Sequence, residues 1–238
     1  MGTSPTTGTG PTGNQLLDRL PKGETNRILE FMETISLPLG REVVHQDGPL
    51  SHVLFPTRGI VSLVVLMEDG RVAEASTVGR EGIVGVSALL SQDSSLATAT
   101  SQLAGEALSL PVQGFLEELA RSETFERLVR GYAAYTLRYA HQTVACNLLH
   151  SVEERMCRWL LMIHDRTGED EFPFTHGLLA EMLGVRRQTV TVIAGELQNQ
   201  GLIQYRRGVV RILDREGLEA GSCECYSVIQ GAYDRLVQ

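Results

Sequence analysis

Along the chain the apolar positions change their spacing twice. Residues 1–13, MGTSPTTGTGPTG, hold no charged side chain and only Met1 as a large apolar group. Nothing there repays the entropy of ordering, so a floppy tail is predicted. From about residue 40 short β-branched runs are punctuated by glycine. In GIVSLVVLMEDGRVAEASTVG two extended runs flank Asp69-Gly70, a pair that tolerates the positive φ of a tight primed turn, and a hairpin is predicted there. VVHQDGPLSHVLFP and ATATSQLAGEALSLP add further runs, so residues 40–111 are predicted to form a sandwich or barrel of short antiparallel strands.

After Pro111 the glycines thin out and steps of three and four take over. Phe125, Leu128, Tyr132, Tyr135, Tyr139, Gln142, Cys146 and Leu149 follow the seam spacing of a coiled coil, and a row of smaller residues, Val129, Ala133, Thr136, Ala140 and Thr143, runs beside it. A long helix over 122–150 with two buried faces is expected, one against the strands and one against a partner helix. The pattern does not say which row faces which, and an amphipathic helix packed wholly within its own chain satisfies it too. Ser151-Val152-Glu153-Glu154 reads as a capping box that starts a new helix, ended by Thr167-Gly168 and followed by the charged connection EDEFPF. Residues 151–238 are therefore predicted to be a separate unit, hinged near His150, with residues 14–121 as the strand-rich domain before the long helix.

Within that unit, HGLLAEMLGVRRQTVTVIAG has the spacing of two short helices crossing steeply. Ala180 is small where they cross, Gly184 makes the turn, and Leu179, Leu183, Val185, Val190 and Ile193 fill the inner faces, extended by Leu197. Thr175 is placed to cap the first helix. LIQYRRGVVRIL follows as two alternating runs around Arg206-Arg207-Gly208, a hairpin wing with arginines at its tip, suited to a phosphate backbone. A helical hairpin without DNA chemistry leaves the wing and its arginines unexplained.

Charge enters as an apparent objection, because the 238 residues carry a formal net charge of -8. Residues 186–215, however, hold six arginines (186, 187, 206, 207, 211 and 215) against Glu196 and Asp214, a local surplus of four positive charges. Phosphate contact needs a basic face rather than a basic protein. No apolar run approaches the roughly 18 residues that span a bilayer, and the first residues lack the basic and apolar regions of a secretory signal, so a soluble, cytoplasmic chain with no membrane partner is expected. The four cysteines, Cys146, Cys157, Cys223 and Cys225, are too few and too clustered for a disulfide framework and are expected to be free thiols. Cys223-Glu224-Cys225 falls short of a closed tetrahedral set, so no metal is assigned.

The whole arrangement resembles the Crp/Fnr family of bacterial transcription regulators. The resemblance covers about residues 14–218 and is most specific in SVEERMCRWLLMIHDR, THGLLAEMLGVRRQTVTVIAGELQNQGLI and YRRGVVRILDREGLE. It implies an α+β protein, with a β-roll (jelly-roll) sensor, a long dimerisation helix and a C-terminal winged helix-turn-helix. It also implies a homodimer on palindromic double-stranded DNA, with RNA polymerase a further candidate partner. By position Arg187, Gln188 and Val192 fall at the family's base-reading places, with Thr189 and Thr191 on the same helix and Arg186, Arg206 and Arg207 reaching phosphate. Glutamine at 188, where many members have glutamate, changes the base it suits from cytosine to adenine. In the sensor, nucleotide-binding members use a glutamate on the ribose and an arginine on the cyclic phosphate. Val86 stands at the first place and Leu96 at or near the second. The candidate effector pocket is Gly85, Val86, Ser87, Leu96, Ala97 and Thr98, with His141 and Gln142 from the long helix. No cofactor is assigned: cyclic AMP is not expected, and an apolar or uncharged effector, or constitutive binding, stays open.

No catalytic residue is identified. A cupin-like enzyme would need clustered histidines and a carboxylate, and only His45 and His52 precede residue 141. A winged helix that binds protein instead of DNA would not need the arginines of the second helix and wing.

Overall fold

The computed structural model describes residues 11–90 and 94–237. The predicted floppy tail lies outside the described residues up to residue 10; from there the chain is pinned, which corrects the expectation for its last three residues. Thr12 donates its amide to Asp18 Oδ1 at 2.9 Å. Asn14 is fully buried, with its amide nitrogen donating to the carbonyls of Pro56 and Gly82, both at 3.0 Å.

The first unit runs α1 (Lys22–Leu29), β1 (Glu33–Leu37), β2 (Glu42–Val44), β3 (His52–Leu66), β4 (Val72–Val78), β5 (Thr98–Pro111) and α2 (Val112–Arg121). Its strands form one antiparallel sheet in the order β1-β5-β3-β4, with β2 also on β5. The strands are predicted to be short, and two of them are not. β3 has 15 residues and β5 has 14, and register shifts between Pro56 and Val61 bend the pair. Gly59 and Gly105 sit at that bend, where a side chain on Gly59 would strike the carbonyl of Leu103 and one on Gly105 that of Arg58. Bending gives β3 two buried faces, which is why VLF and IV read as continuous apolar runs. Leu54 and Val61 fill the roll interior with Leu37, Val78 and Ala107, while Val53 and Phe55 point to the helices. The Asp69-Gly70 hairpin is present, but only Gly70 has positive φ, at 82°. The amide of Gly70 bonds the carbonyl of Met67 and that of Met67 bonds the carbonyl of Arg71, so the loop is longer than a two-residue primed turn.

The long helix α3 (Glu123–Leu149) has 27 residues, with Ser122 capping it at the amide of Phe125. Ser151 and Glu154 then form the predicted capping box of α4 (Val152–Thr167), which ends at Gly168 with φ 70°. β6 (Glu171–Pro173), α5 (His176–Leu183), α6 (Arg187–Asn199), β7 (Ile203–Arg206), β8 (Val209–Ile212), α7 (Arg215–Gly221) and α8 (Cys225–Val237) follow. β6, β8 and β7 make a second antiparallel sheet.

The structure decides one point that the sequence left open and corrects another. The tyrosine row of α3 is buried inside its own chain: Tyr132, Tyr135 and Tyr139 belong to the sensor core, and Tyr135 meets Tyr233 of α8 edge-on at 5.5 Å. So α8 belongs spatially with the sensor and α3, and the unit predicted over 151–238 ends in space near residue 221. What α3 leaves uncovered is a third row, Arg127, Arg130, Ala134, Leu137, His141, Val144 and Leu148, alternating steps of three and four. Leu137 and Val144 are each 61% exposed and Leu148 79%.

Buried polar contacts join the two units. Trp159 of α4 donates its indole N–H to Glu74 of β4 at 3.3 Å, and Glu74 also accepts from Ser62 and Gln102. Burial holds the Glu74 carboxyl above its ordinary range, against the lowering effect of those donors. The stability linked to this group is therefore fully present below the ordinary carboxylate range and is lost as pH rises through the elevated value. Glu74→Gln should remove this dependence and be neutral or stabilising by about 1 kcal/mol at pH 7, because Gln102 Oε1, now unpartnered, can accept from the new amide. Denaturant unfolding across pH checks it; an unchanged pH slope would count against Glu74 as its source.

Candidate nucleic-acid interface and sensor site

The helix-turn-helix forms as its sequence dictates. Thr175 accepts from the amide of Leu178 at 3.2 Å, Gly184 turns the chain with φ 65°, and the amide of Val185 bonds the carbonyl of Ala180 at 2.9 Å. Leu179, Ala180, Leu183, Val190, Ile193 and Leu197 are all buried in one core with Trp159, Phe172 and Phe174. Burying that face leaves the other outward: Arg186, Arg187, Gln188, Thr191 and Val192 are exposed, while Thr189 is half-buried. Arg186 occupies the N-cap of α6 without a side-chain cap bond, so the first amides of the helix stay open to an anion.

Thr191 is already engaged. Its hydroxyl bonds the carbonyl of Arg187 and the ring of His176, both at 3.0 Å, and His176 stacks on Tyr205 of β7 at 4.1 Å between ring centres. Burial and the charge of Arg187 lower the His176 pKa, favouring the neutral ring. Sequence reasoning missed this clamp between recognition helix and wing. Only the place of His176, one residue after the cap, hinted at it.

The wing is a two-residue hairpin, with Arg206 paired to Val209 and both Arg207 (φ 49°) and Gly208 (φ 80°) left-handed, the signature of a type I′ turn. Asparagine or glycine usually takes the place of Arg207, so an arginine there costs about 1–2 kcal/mol of backbone strain. Arg206, Arg207 and Arg211 are exposed. Arg215 is not part of this face. It pairs with Asp165 at 2.7 Å and Glu219 at 2.9 Å and donates to Tyr226, which removes one arginine from the surplus counted in the sequence.

Among the described residues, the candidate sensor side chains differ in burial and direction. Gly85 is left-handed with φ 86° beside Leu50, and Val86 and Ser87 enter a short 3-10 turn, half-buried. Leu96 is 61% exposed and Ala97 half-buried, while buried Thr98 accepts from the amide of Gln46 at 3.0 Å. The segment between these groups lies in part outside the described residues. His141 stands on the uncovered row of α3, and Gln142 turns the other way, donating to Cys225 at 3.1 Å. Paired with Glu81, four residues before Gly85, is a cation that sequence spacing could not reveal. Arg166 of α4 reaches Glu81 at 2.7 Å, with 5% and 10% of the two side chains exposed, and its guanidinium lies 5.5 Å from the centre of the Tyr139 ring. Glu81 already neutralises it. A groove of about 310 Å³ among Phe31, Gly114, Glu117, Glu118, Ala120 and Arg121 lies elsewhere, on α2.

Comparison with known proteins supports both halves. The profile of the cyclic nucleotide-binding domain matches residues 34–122, and that of the Crp-like helix-turn-helix domain matches residues 154–220. Transcriptional regulator SdrP of Thermus thermophilus is 27% identical over 202 residues, covering 81% of this chain and 95% of that protein. Among solved structures, FixK2 of Bradyrhizobium japonicum superposes with a TM-score of 0.71 at 18% identity, covering 81% of this chain and 98% of its own. TTHB099, a CRP-family transcriptional regulator of Thermus thermophilus, gives 0.65 at 20% identity, covering 80% and 96%. At these identities the structural likeness speaks for the fold.

Proposed function

The chain belongs to the Crp/Fnr family of transcription regulators, and from that membership we propose that it binds a palindromic operator as a homodimer, α6 reading bases in the major groove through Arg187, Gln188 and Val192. The observation that carries this reading is the outward row of α6 beside an uncapped helix start and an arginine-tipped wing. Arg186, Arg206 and Arg207 serve as phosphate contacts. The uncovered row of α3 is the self-complementary surface: Ala134, Leu137, Val144 and Leu148 repeat at heptad spacing and would be covered by the same row of a second copy. Among the described residues no helix is long and apolar enough to cross a membrane.

Catalysis by the roll is not part of this reading. His45 and His52 are exposed and bonded to Glu42 and Ser51, each at 3.0 Å, rather than gathered around a site.

Arg187→Ala should cost about 1–3 kcal/mol in operator affinity and relax preference at one base pair of each half-site. Arg207→Asn should behave in the opposite way: it relieves the strained turn, raising fold stability, while weakening every DNA sequence alike and flattening the salt dependence. Selection of bound sequences from a random pool separates the two, and an unchanged motif for Arg187→Ala would remove it from base reading.

Cyclic AMP is not the effector in this reading. A cyclic phosphate enclosed without a paired cation costs several kcal/mol; Val86 and Leu96 supply none, and Arg166 is already paired with Glu81. Calorimetric titration should show no binding at micromolar nucleotide and no change in operator affinity. Binding that tightens the operator complex would defeat this part of the proposal.

A further inference from the structure

Two cysteines one residue apart do not close a metal site, but the fold brings two more donors to them. Cys146 and His150, four residues apart at the end of α3, meet Cys223 and Cys225 at the start of α8, and one donor atom from each lies within 4.8 Å of the others. Cys146 Sγ is 3.5 Å from Cys223 Sγ, and Cys225 Sγ is 3.5 Å from His150 Nδ1. With zinc–sulfur bonds of about 2.3 Å and zinc–nitrogen bonds of about 2.0 Å, a tetrahedral site has sulfur–sulfur edges of about 3.8 Å and sulfur–nitrogen edges of about 3.5 Å. The donors need little movement to reach these edges.

The surroundings also suit a metal. His150 turns Nδ1 inward while Nε2 meets Glu224 Oε2 at 3.0 Å, the carboxylate–histidine arrangement that fixes a ligating ring. Gln142 donates an amide N–H to Cys225 Sγ, as a thiolate would require. The three cysteines are buried, and the His150 side chain is 15% exposed, which leaves a route for an ion. Three thiolates around a divalent ion leave one negative charge, and Arg155 and Arg158 of α4 lie close enough to feel the charges of Cys146 and Cys223. Arg158 is 5% exposed and its Nε has no hydrogen-bond partner among the described residues.

We propose that Cys146, His150, Cys223 and Cys225 form a structural site for a tetrahedral thiophilic dication, zinc, which staples α8 to the end of α3. Soft sulfur donors with one imidazole favour this ion over magnesium or calcium, which take oxygen ligands. Binding displaces the thiol protons to solvent and needs no oxidant.

The full chain, purified anaerobically with reductant, is the material for the test. Elemental analysis is expected to find one zinc per chain. Chelator-stripped protein refilled with cobalt(II) is expected to show the intense visible bands of tetrahedral coordination and a thiolate charge-transfer band. Glu224→Gln alters an exposed side chain, so the fold read by circular dichroism should persist while cobalt affinity falls about 10- to 100-fold. Cys225→Ser should abolish cobalt binding or weaken the charge-transfer band. Folded wild-type protein with four titratable thiols and only the faint spectrum of six-coordinate cobalt would overturn the site. So would a cobalt spectrum indifferent to Cys225→Ser, or a Cys146–Cys223 disulfide in the anaerobic protein.

Discussion

Arg166→Ala is expected to destabilise the chain by about 3–5 kcal/mol, because it strands Glu81 as a buried charge. Both partners are nearly inaccessible to water. With the guanidinium gone, Glu81 would keep its bonds to the amide of Gly79 but lose its only cation partner among the described residues. The ring of Tyr139 would also lose the cation that lies 5.5 Å from its centre. Removing both charges should be far milder. Arg166→Met combined with Glu81→Gln keeps the volume without the charges and should recover most of the loss. Denaturant unfolding of the single and double variants measures this directly. A single-variant loss under about 1 kcal/mol would mean that water reaches the pair.

The second large effect is on assembly. Leu137→Glu should raise the dimer dissociation constant at least about 100-fold, since the two-fold axis brings two copies of the new charge into one apolar seam. Val144→Glu should do the same. Both side chains are exposed in the single chain, so monomer folding should survive, and sedimentation at micromolar concentration reads the outcome. Tyr135→Glu, by contrast, puts a charge into the interior of the chain beside Tyr233 and should unfold the monomer rather than separate folded ones. A Leu137→Glu protein that still sediments as a dimer would exclude this row as the interface.

What the sequence could show follows from which contacts are local. The helix-turn-helix was legible because its determinants, Ala180, Gly184 and the inner leucines, lie within twenty residues and each answers to a steric demand. The capping box at Ser151 was legible for the same reason. The uncovered row of α3 was not, because two buried rows on one helix look alike until it is known that α8 returns to cover the tyrosines. Likewise Arg166 and Glu81 are 85 residues apart, and Cys146 and Cys223 are 77, so no spacing rule could join them. The candidate effector residues were placed by register along one segment, whereas burial sends Leu96 outward and turns His141 and Gln142 to different sides of α3.

The meeting of α3 and α8 has a mechanical consequence. The DNA-reading unit leaves the long helix at His150 and is gathered back at Cys223, and these two points lie side by side. The unit is also tied to the sensor through Trp159–Glu74 and Arg166–Glu81, so it turns as a lever about this doubled fulcrum only when those contacts give way, and the arc then swept grows with distance from it. A small rotation at the cysteine cluster therefore becomes a larger sweep of whatever lies farther out. Stiffening the fulcrum would narrow the range of spacings at which two such levers could straddle one operator.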